Sequence, residues 1–172
     1  IYEYTASLND INPHEEGLAS RKNFPYELDK LSQIGRNQKD YSLLKCTPYG
    51  NSFTKDFAIT AILEEHMGVD DTTDWLQLHF TSGAYAGDLY SSWSLEMEDI
   101  YLRLDREIAH FLQFLDEQIG MKNVLVYLTA ENAISNEPAY LQEKKIPAGY
   151  FNYNGAISLL NTYLNAVYGP GD

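Results

Sequence analysis

The chain has 172 residues, of which 44% are hydrophobic and 22% are charged. This composition supports one hydrophobic core of ordinary domain size and does not favour disorder. The formal net charge is −13, from 25 acidic and 12 basic residues, which argues against nucleic acids and anionic membranes as partners because both require clustered Lys and Arg. A single cysteine excludes an internal disulfide and a cysteine-based zinc cluster. No apolar stretch approaches the roughly 20 residues of a membrane span.

The first third of the chain mixes turn-forming residues with short periodic segments. Residues 1–25 lack clear periodicity, and we expect a peripheral arm or loop there. Pro25 favours a short helix over Tyr26–Ile34, and the apolar run Tyr41–Cys46 is interpreted as a strand. The next segment has a helical pattern that ends at Gly68, with these apolar side chains expected on one side: Phe53, Phe57, Ala58, Ala61, Ile62 and Leu63.

Two later segments have the length and apolar content of buried strands, Trp75–Ser82 and Asn123–Ala130. A loop over residues 83–93 follows the first, and an irregular stretch follows the second before a last helix near Gly155–Tyr168. Strands that alternate with helices favour right-handed crossovers and a mostly parallel sheet. The sequence therefore predicts a single α/β domain over residues 26–172, with helices flanking the sheet.

The long helix between these two strands is the clearest periodic segment. Ser94 is its expected N-cap and Gly120 its expected stop. Asp99 and Arg103 form an i,i+4 pair that we expect on the solvent-exposed face. Its apolar residues recur at helical spacing: Met97, Ile100, Tyr101, Leu104, Ile108, Phe111, Leu112, Leu115 and Ile119.

In open α/β sheets, ligands bind at the carboxyl ends of the strands, which here lead into two irregular loops. The loops and their flanks resemble the alkaline phosphatase superfamily, and in particular the secreted alkaline phosphatases common in Bacteroidetes. The segments that carry the resemblance are TPYGNSFTKDFAITAI (47–62), FTSGAYAGDLYSSWSLEMEDIYLRLDREIA (80–109), VLVYLTAENA (124–133) and KKIPAGYF (144–151). It implies part of a three-layer α/β sandwich, a phosphoric ester hydrolase that uses two zinc ions, and export to the periplasm or the cell surface.

The resemblance also implies where zinc ligands would lie. The first loop of such enzymes carries Asp, three residues and then His, and the second carries Thr-Ala-Asp-His. The aligned positions here are Ala84 and Asp88, then Glu131 and Asn132. Zinc requires carboxylate oxygens and imidazole nitrogens that converge on one point, and the methyl group of Ala84 offers no donor atom. We therefore expect no zinc, no other cofactor and no catalytic residue in this chain, since the resemblance places the nucleophile outside it.

Three interpretations of function follow. In the first, an inactive domain binds a phosphorylated or sugar-like ligand or serves as a scaffold, with Tyr85, Tyr90 and Trp93 as its candidate pocket. In the second, Asp88 and Glu131 belong to a rearranged oxygen-rich site for Mg²⁺ or Ca²⁺, and missing segments complete a phosphomonoester or phosphodiester hydrolase. In the third, the chain folds but has no ligand. The chain ends, without a starting Met or a signal sequence, are typical of the middle of a longer protein, so the expected partner is the remainder of such a chain or another protein.

Overall fold

The computed structural model describes residues 1–3, 23–35, 38–87, 89–90, 92–130 and 135–169. The chain divides into two compact units, Ile1–Asn136 and Glu137–Asp172. The helices and strands are, in chain order, α1 (Leu28–Leu31), β1 (Gln33–Gly35), β2 (Gln38–Lys39), a 3₁₀ helix (Tyr41–Cys46), α2 (Pro48–Glu64), α3 (Ser82–Gly87), α4 (Leu95–Gln118), a 3₁₀ turn (Met121–Asn123), α5 (Pro138–Glu143) and α6 (Tyr153–Tyr168). Within the described ranges, every helix is too short or too polar to cross a membrane.

The long helix α4 confirms the prediction from periodicity and capping. The Ser94 hydroxyl accepts a hydrogen bond from the backbone N–H of Met97 at 3.2 Å, which satisfies one of the amide groups left free at a helix N-terminus. Gly120 follows the helix with φ of 83°, a backbone conformation that glycine adopts without steric cost. Local sequence therefore set both ends of this helix.

Helix α2 is also confirmed, and its predicted apolar side is correct in part: Ala58 and Ile62 are buried. Phe53 and Phe57 lie exposed, whereas the buried side chains follow one helical row: Asn51, Lys55, Ala58 and Ile62. This row packs toward α4 and α3. Ala58 and Ile62 belong to both the predicted and the observed row, but Asn51 and Lys55 are polar, so apolar spacing alone did not identify them.

The segment Tyr41–Cys46 is a 3₁₀ helix, which corrects the predicted strand. The Asp40 side chain accepts a hydrogen bond from the Ser42 N–H at 2.8 Å, and this local bond favours a helical turn over an extended chain. The predicted helix after Pro25 is shortened to α1, because β1 begins at Gln33 and pairs antiparallel with β2.

The predicted mostly parallel sheet is not confirmed. Among the described residues, strand pairing is limited to β1 with β2 and to an isolated bridge between Tyr2 and Tyr26. Residues 73–81 and 124–130 have no regular secondary structure, and they are not buried as predicted: Trp75 is 85% exposed and Leu125 is 97% exposed. A strand is defined by hydrogen bonds to a neighbour, and the described residues supply no neighbour for these segments. Ser82 begins α3 instead of ending a strand.

The core of the first unit is rich in aromatic side chains. Tyr2 and Tyr26 exchange backbone hydrogen bonds of 2.7 and 2.8 Å, and their rings stack with centroids 5.8 Å apart. Tyr2 is fully buried, although it belongs to the segment 1–25 that was predicted to be a peripheral arm. Residues 4–22 of that segment lie outside the described residues. The buried cluster consists of Tyr2, Tyr26, Ala86, Tyr90, Met97 and Ile100.

The second unit contains α5 and α6, and α6 confirms the predicted last helix. The Asn152 side chain caps it by accepting a hydrogen bond from the Gly155 N–H at 2.8 Å. Most of its large apolar side chains are exposed, including Tyr153, Leu159 and Tyr163. The described part of this unit therefore has no buried side chain on either helix.

Candidate functional site

Of the four predicted metal-ligand positions, the structure describes one. Ala84 lies in the short helix α3, with its methyl group exposed. Asp88, Glu131 and Asn132 lie outside the described residues. Within the described part of the chain, no group of three or more His, Cys, Asp or Glu side chains is arranged to hold a metal ion. At position 84 the residue present does not fit a zinc ligand, because zinc binds oxygen, nitrogen or sulfur donors.

The three aromatic residues predicted to line a pocket occupy different environments. Tyr90 is buried in the core cluster. Tyr85 is 48% exposed, and the Lys45 ammonium lies 5.5 Å from its ring centroid. Trp93 is 69% exposed, and its indole N–H donates to the side-chain oxygen of Asn136 at 2.8 Å. Tyr85 and Trp93 thus remain available at the surface, and Tyr90 contributes packing.

Two buried carboxylates lie in the first turns of α4. Glu96 and Asp99 are both fully buried. The Tyr26 hydroxyl donates to Glu96 at 2.5 Å, and the Arg103 guanidinium donates to Asp99 at 2.9 Å. A carboxylate is stable in an interior only when hydrogen bonds or a counter-charge compensate its lost hydration. The predicted Asp99–Arg103 pair is confirmed, but its predicted location on the solvent face is wrong.

Arg103 also holds the first residues of the chain. Its guanidinium donates a second hydrogen bond, to the Glu3 carbonyl at 2.6 Å. It lies 5.7 Å from the ring centroid of Tyr2 and 5.9 Å from that of Tyr49, which are cation–π distances. Burial, together with the negative charge of Asp99, raises the pKa of the Tyr2 hydroxyl far above its ordinary value. This hydroxyl therefore stays protonated at neutral pH.

A second charged network joins α2 to α4. The Lys55 ammonium, 8% exposed, lies 2.9 Å from Glu107 and 2.8 Å from Asp56. The Ser52 hydroxyl donates to Glu107 at 2.5 Å. Lys55 also lies 3.2 Å from Nδ1 of His110. Because an ammonium group can only donate hydrogen bonds, Nδ1 of His110 is the acceptor in this contact.

This network predicts a dependence of stability on pH. Burial opposes ionisation of Glu107, but hydrogen bonds from Ser52 and Lys55 outweigh it and lower the pKa of Glu107. Burial likewise opposes the charge on Lys55, but bonds to Asp56 and Glu107 outweigh it and raise the pKa of Lys55. A carboxyl group whose pKa is lowered by folding stabilises the fold when the pH is above its pKa in the unfolded chain, about 4.3. A lysine whose pKa is raised by folding stabilises the fold when the pH is below its pKa in the unfolded chain, about 10.4.

We therefore expect the contribution of this network to the free energy of unfolding to be largest between about pH 5 and pH 10. It decreases as the pH falls through the folded pKa of Glu107, or rises through that of Lys55. Urea denaturation at several pH values, with Glu107→Gln as the comparison, isolates the acidic side. The difference in unfolding free energy between the two proteins should decrease in acid; a difference independent of pH would contradict the assignment.

Sequence reasoning identified the Asp99–Arg103 pair but not the network that joins α2 to α4. The signal was present as polar residues one helical turn apart, Ser52 with Lys55 on α2 and Glu107 with His110 on α4. Such spacing is also typical of an ordinary solvent-exposed helix face. Only the packing of the two helices shows that these polar rows face each other.

No protein-family model matches this chain. Three curated relatives do, over most or all of its length. It is 37% identical to a calcium-transporting ATPase of Myroides odoratus over 176 residues, which cover 100% of this chain and 31% of that protein. It is 38% identical to alkaline phosphatase PafA of Elizabethkingia meningoseptica over 151 residues, covering 88% of this chain and 27% of that protein. It is 36% identical to alkaline phosphatase PhoV of Synechococcus elongatus over 151 residues, covering 87% of this chain and 26% of that protein.

The crystal structure of wild-type alkaline phosphatase PafA superimposes with a TM-score of 0.77 at 35% identity, covering 95% of this chain and 30% of that one. A PafA variant with four substitutions matches with a TM-score of 0.75 over the same shares. The chain thus spans less than a third of the length of these relatives. Sequence and structure agree with the resemblance found in the two loops and their flanks. This chain belongs to the alkaline phosphatase superfamily.

Proposed function

We propose that this chain is a catalytically inactive part of an alkaline-phosphatase-like fold. The observation that carries the proposal is Ala84, an exposed methyl group where a zinc-binding carboxylate is expected. The other three expected ligand positions carry Asp88, Glu131 and Asn132. None of the four positions has an imidazole, and zinc sites of phosphoesterases combine carboxylates with imidazoles.

The proposed role is that of a scaffold within a larger α/β sandwich. Exposure alternates over residues 77–80: Leu78 and Phe80 are half-buried, whereas Gln77 and His79 are exposed. This period of two is typical of a strand that has one covered face. Unpaired backbone groups beside apolar side chains favour pairing with further strands. We infer that the rest of a longer chain, or another protein, supplies those strands and completes a mostly parallel sheet.

A ligand for this scaffold would contact its exposed aromatic residues. Tyr85 and Trp93 present ring surface to solvent on either side of the segment that follows α3. Aromatic rings stack on sugars and planar groups, and Trp93 is held in place by its bond to Asn136. We propose a sugar or a phosphorylated sugar as the class of ligand, bound without hydrolysis.

The experiment is a calorimetric titration of the natural chain with Zn²⁺, Mg²⁺ and Ca²⁺. A four-residue variant with the expected ligands restored serves as the comparison: Ala84→Asp, Asp88→His, Glu131→Asp and Asn132→His. We expect no saturable binding by the natural chain even at millimolar metal. The restored variant should bind Zn²⁺, because it regains two carboxylates and two imidazoles.

A control separates site restoration from a general gain of imidazole. Asp105→His adds an imidazole on the exposed side of α4 and should leave Zn²⁺ affinity unchanged. Tight binding of a divalent ion by the natural chain would overturn the proposal. If Asp88→Asn and Glu131→Gln abolished that binding, the oxygen-ligand hydrolase would replace the inactive scaffold as the function.

A further inference from the structure

The helix that carries position 84 is held on both sides of that position. Ser82 and Ala86 are buried, and a side chain at Gly83 would lie 3.3 Å from the Tyr101 hydroxyl oxygen. The carbonyl of Tyr85 lies 3.7 Å from the Cys46 sulfur, within the distance of a weak S–H hydrogen bond. Ala84 itself is exposed, as is Tyr85. The framework around position 84 is thus well packed although the residue itself cannot bind metal.

The beginning of α2 approaches the first residue of α3 very closely. A Cβ atom at Gly50 would lie 2.7 Å from the Ser82 hydroxyl oxygen and 3.0 Å from the Leu44 carbonyl oxygen. Both distances are shorter than ordinary van der Waals contact. A residue larger than glycine at position 50 would therefore displace Ser82 or the 3₁₀ helix.

Asn51 makes the direct bond between the two helices. It is 2% exposed, and its side-chain oxygen accepts a hydrogen bond from the Ser82 N–H at 3.3 Å. Its side-chain nitrogen is buried and has no hydrogen-bond partner among the described residues. A buried donor without an acceptor reduces stability. Asn51 therefore provides one hydrogen bond to α3, while its own side-chain nitrogen is left without a partner among the described residues.

We propose that Asn51 is a positioning residue, which fixes the first turn of α3 and thereby the direction of the side chain at position 84. The inference rests on the proposed function in one respect, that position 84 corresponds to a metal-ligand position. A buried polar side chain with an unpaired donor lowers stability. Such a side chain is expected where it maintains a specific local geometry. The bond to Ser82 is the geometry that Asn51 maintains.

The test uses Asn51→Leu in the full chain, measured by amide hydrogen exchange and by urea denaturation. Leucine has the same number and branching of side-chain heavy atoms and removes the uncompensated donor, but it leaves the Ser82 N–H without its acceptor. Since one unpaired buried donor replaces another, the denaturation midpoint should change little. Exchange of the Ser82 amide should become about 10-fold faster, the factor that corresponds to one net hydrogen bond. Exchange of the core amides of α4 should stay the same.

Asn51→Asp should give the opposite pattern. It keeps an oxygen acceptor for the Ser82 N–H but buries a charge, so the midpoint should fall while Ser82 keeps its protection relative to α4. Thr54→Val is the control on the same helix, because the Thr54 hydroxyl donates to the Gly50 carbonyl of its own helix, at 3.1 Å; it should leave Ser82 exchange unchanged. If Ser82 protection followed overall stability in both Asn51 variants, the positioning role would be refuted. That outcome is independent of whether the natural chain binds metal.

Discussion

Replacing Arg103 with methionine should lower the free energy of unfolding by about 3–5 kcal/mol, the range for breaking one partner out of a buried ion pair. Asp99 is fully buried, and without the guanidinium its charge would lose its counter-ion. The same substitution removes the bond to the Glu3 carbonyl and the contacts with two tyrosine rings. Urea denaturation of the natural and substituted chains measures the loss.

Two comparison variants separate the buried pair from a general effect of charge. Arg106→Met removes an exposed guanidinium from the same helix and should change stability by less than about 0.5 kcal/mol. Adding Asp99→Asn to Arg103→Met should recover part of the loss, because the amide needs no counter-charge. Equal effects of Arg103→Met and Arg106→Met would show that Asp99 is not buried as described.

Replacing Ile100 with alanine should lower the free energy of unfolding by about 2–5 kcal/mol, as expected for a large-to-small change in a packed core. Ile100 is fully buried among Tyr2, Tyr26 and Tyr90. Rigid aromatic neighbours are poorly able to close the cavity that the missing methyl and methylene groups would leave. Denaturation in urea, with the slope checked for unchanged cooperativity, measures the effect.

Leu102→Ala is the matched control for this substitution. Leu102 lies on the same helix but is 39% exposed, so its replacement should cost less than about 1 kcal/mol. Equal losses for the two variants would contradict the position of the core. An increase in stability with Ile100→Ala would do so as well.

The predicted helices show how far local information reaches in this chain. Ser94 and Gly120 mark the ends of α4, and both act through their own backbone or a residue one turn away. The buried face of α2, by contrast, was predicted only in part, since Ala58 and Ile62 are buried but Phe53 and Phe57 are exposed. Lys55 is buried because Glu107, distant in the sequence, neutralises it. Apolar spacing cannot reveal a polar residue whose partner lies on another helix.

The predicted strands show a second limit. Apolar runs such as Asn123–Ala130 indicate that a segment requires a cover, but they do not specify which residues provide it. A strand depends on hydrogen bonds to a neighbour, and those bonds join residues far apart in the chain. For Tyr41–Cys46 a local hydrogen bond from the Ser42 N–H to the Asp40 side chain favoured a 3₁₀ helix, and the apolar content of the run was misleading.

The candidate site divides in the same way. That Ala84 lacks a donor atom is evident from the sequence, because the absence of oxygen, nitrogen and sulfur from its side chain does not depend on the fold. That position 84 is exposed while Ser82 is held by Asn51 required the structure. The identities at Asp88, Glu131 and Asn132 remain sequence observations, since these residues lie outside the described ranges.

The sequence by itself determined the superfamily, the long helices and the residue types at the expected metal-ligand positions. These follow from motif order, helical spacing and side-chain chemistry, which are local properties. The tertiary structure alone decided that Glu96, Asp99 and Lys55 are buried. It also decided which groups compensate them, because the free energy of burying a charge depends on partners that the fold, and not the neighbouring sequence, brings into contact.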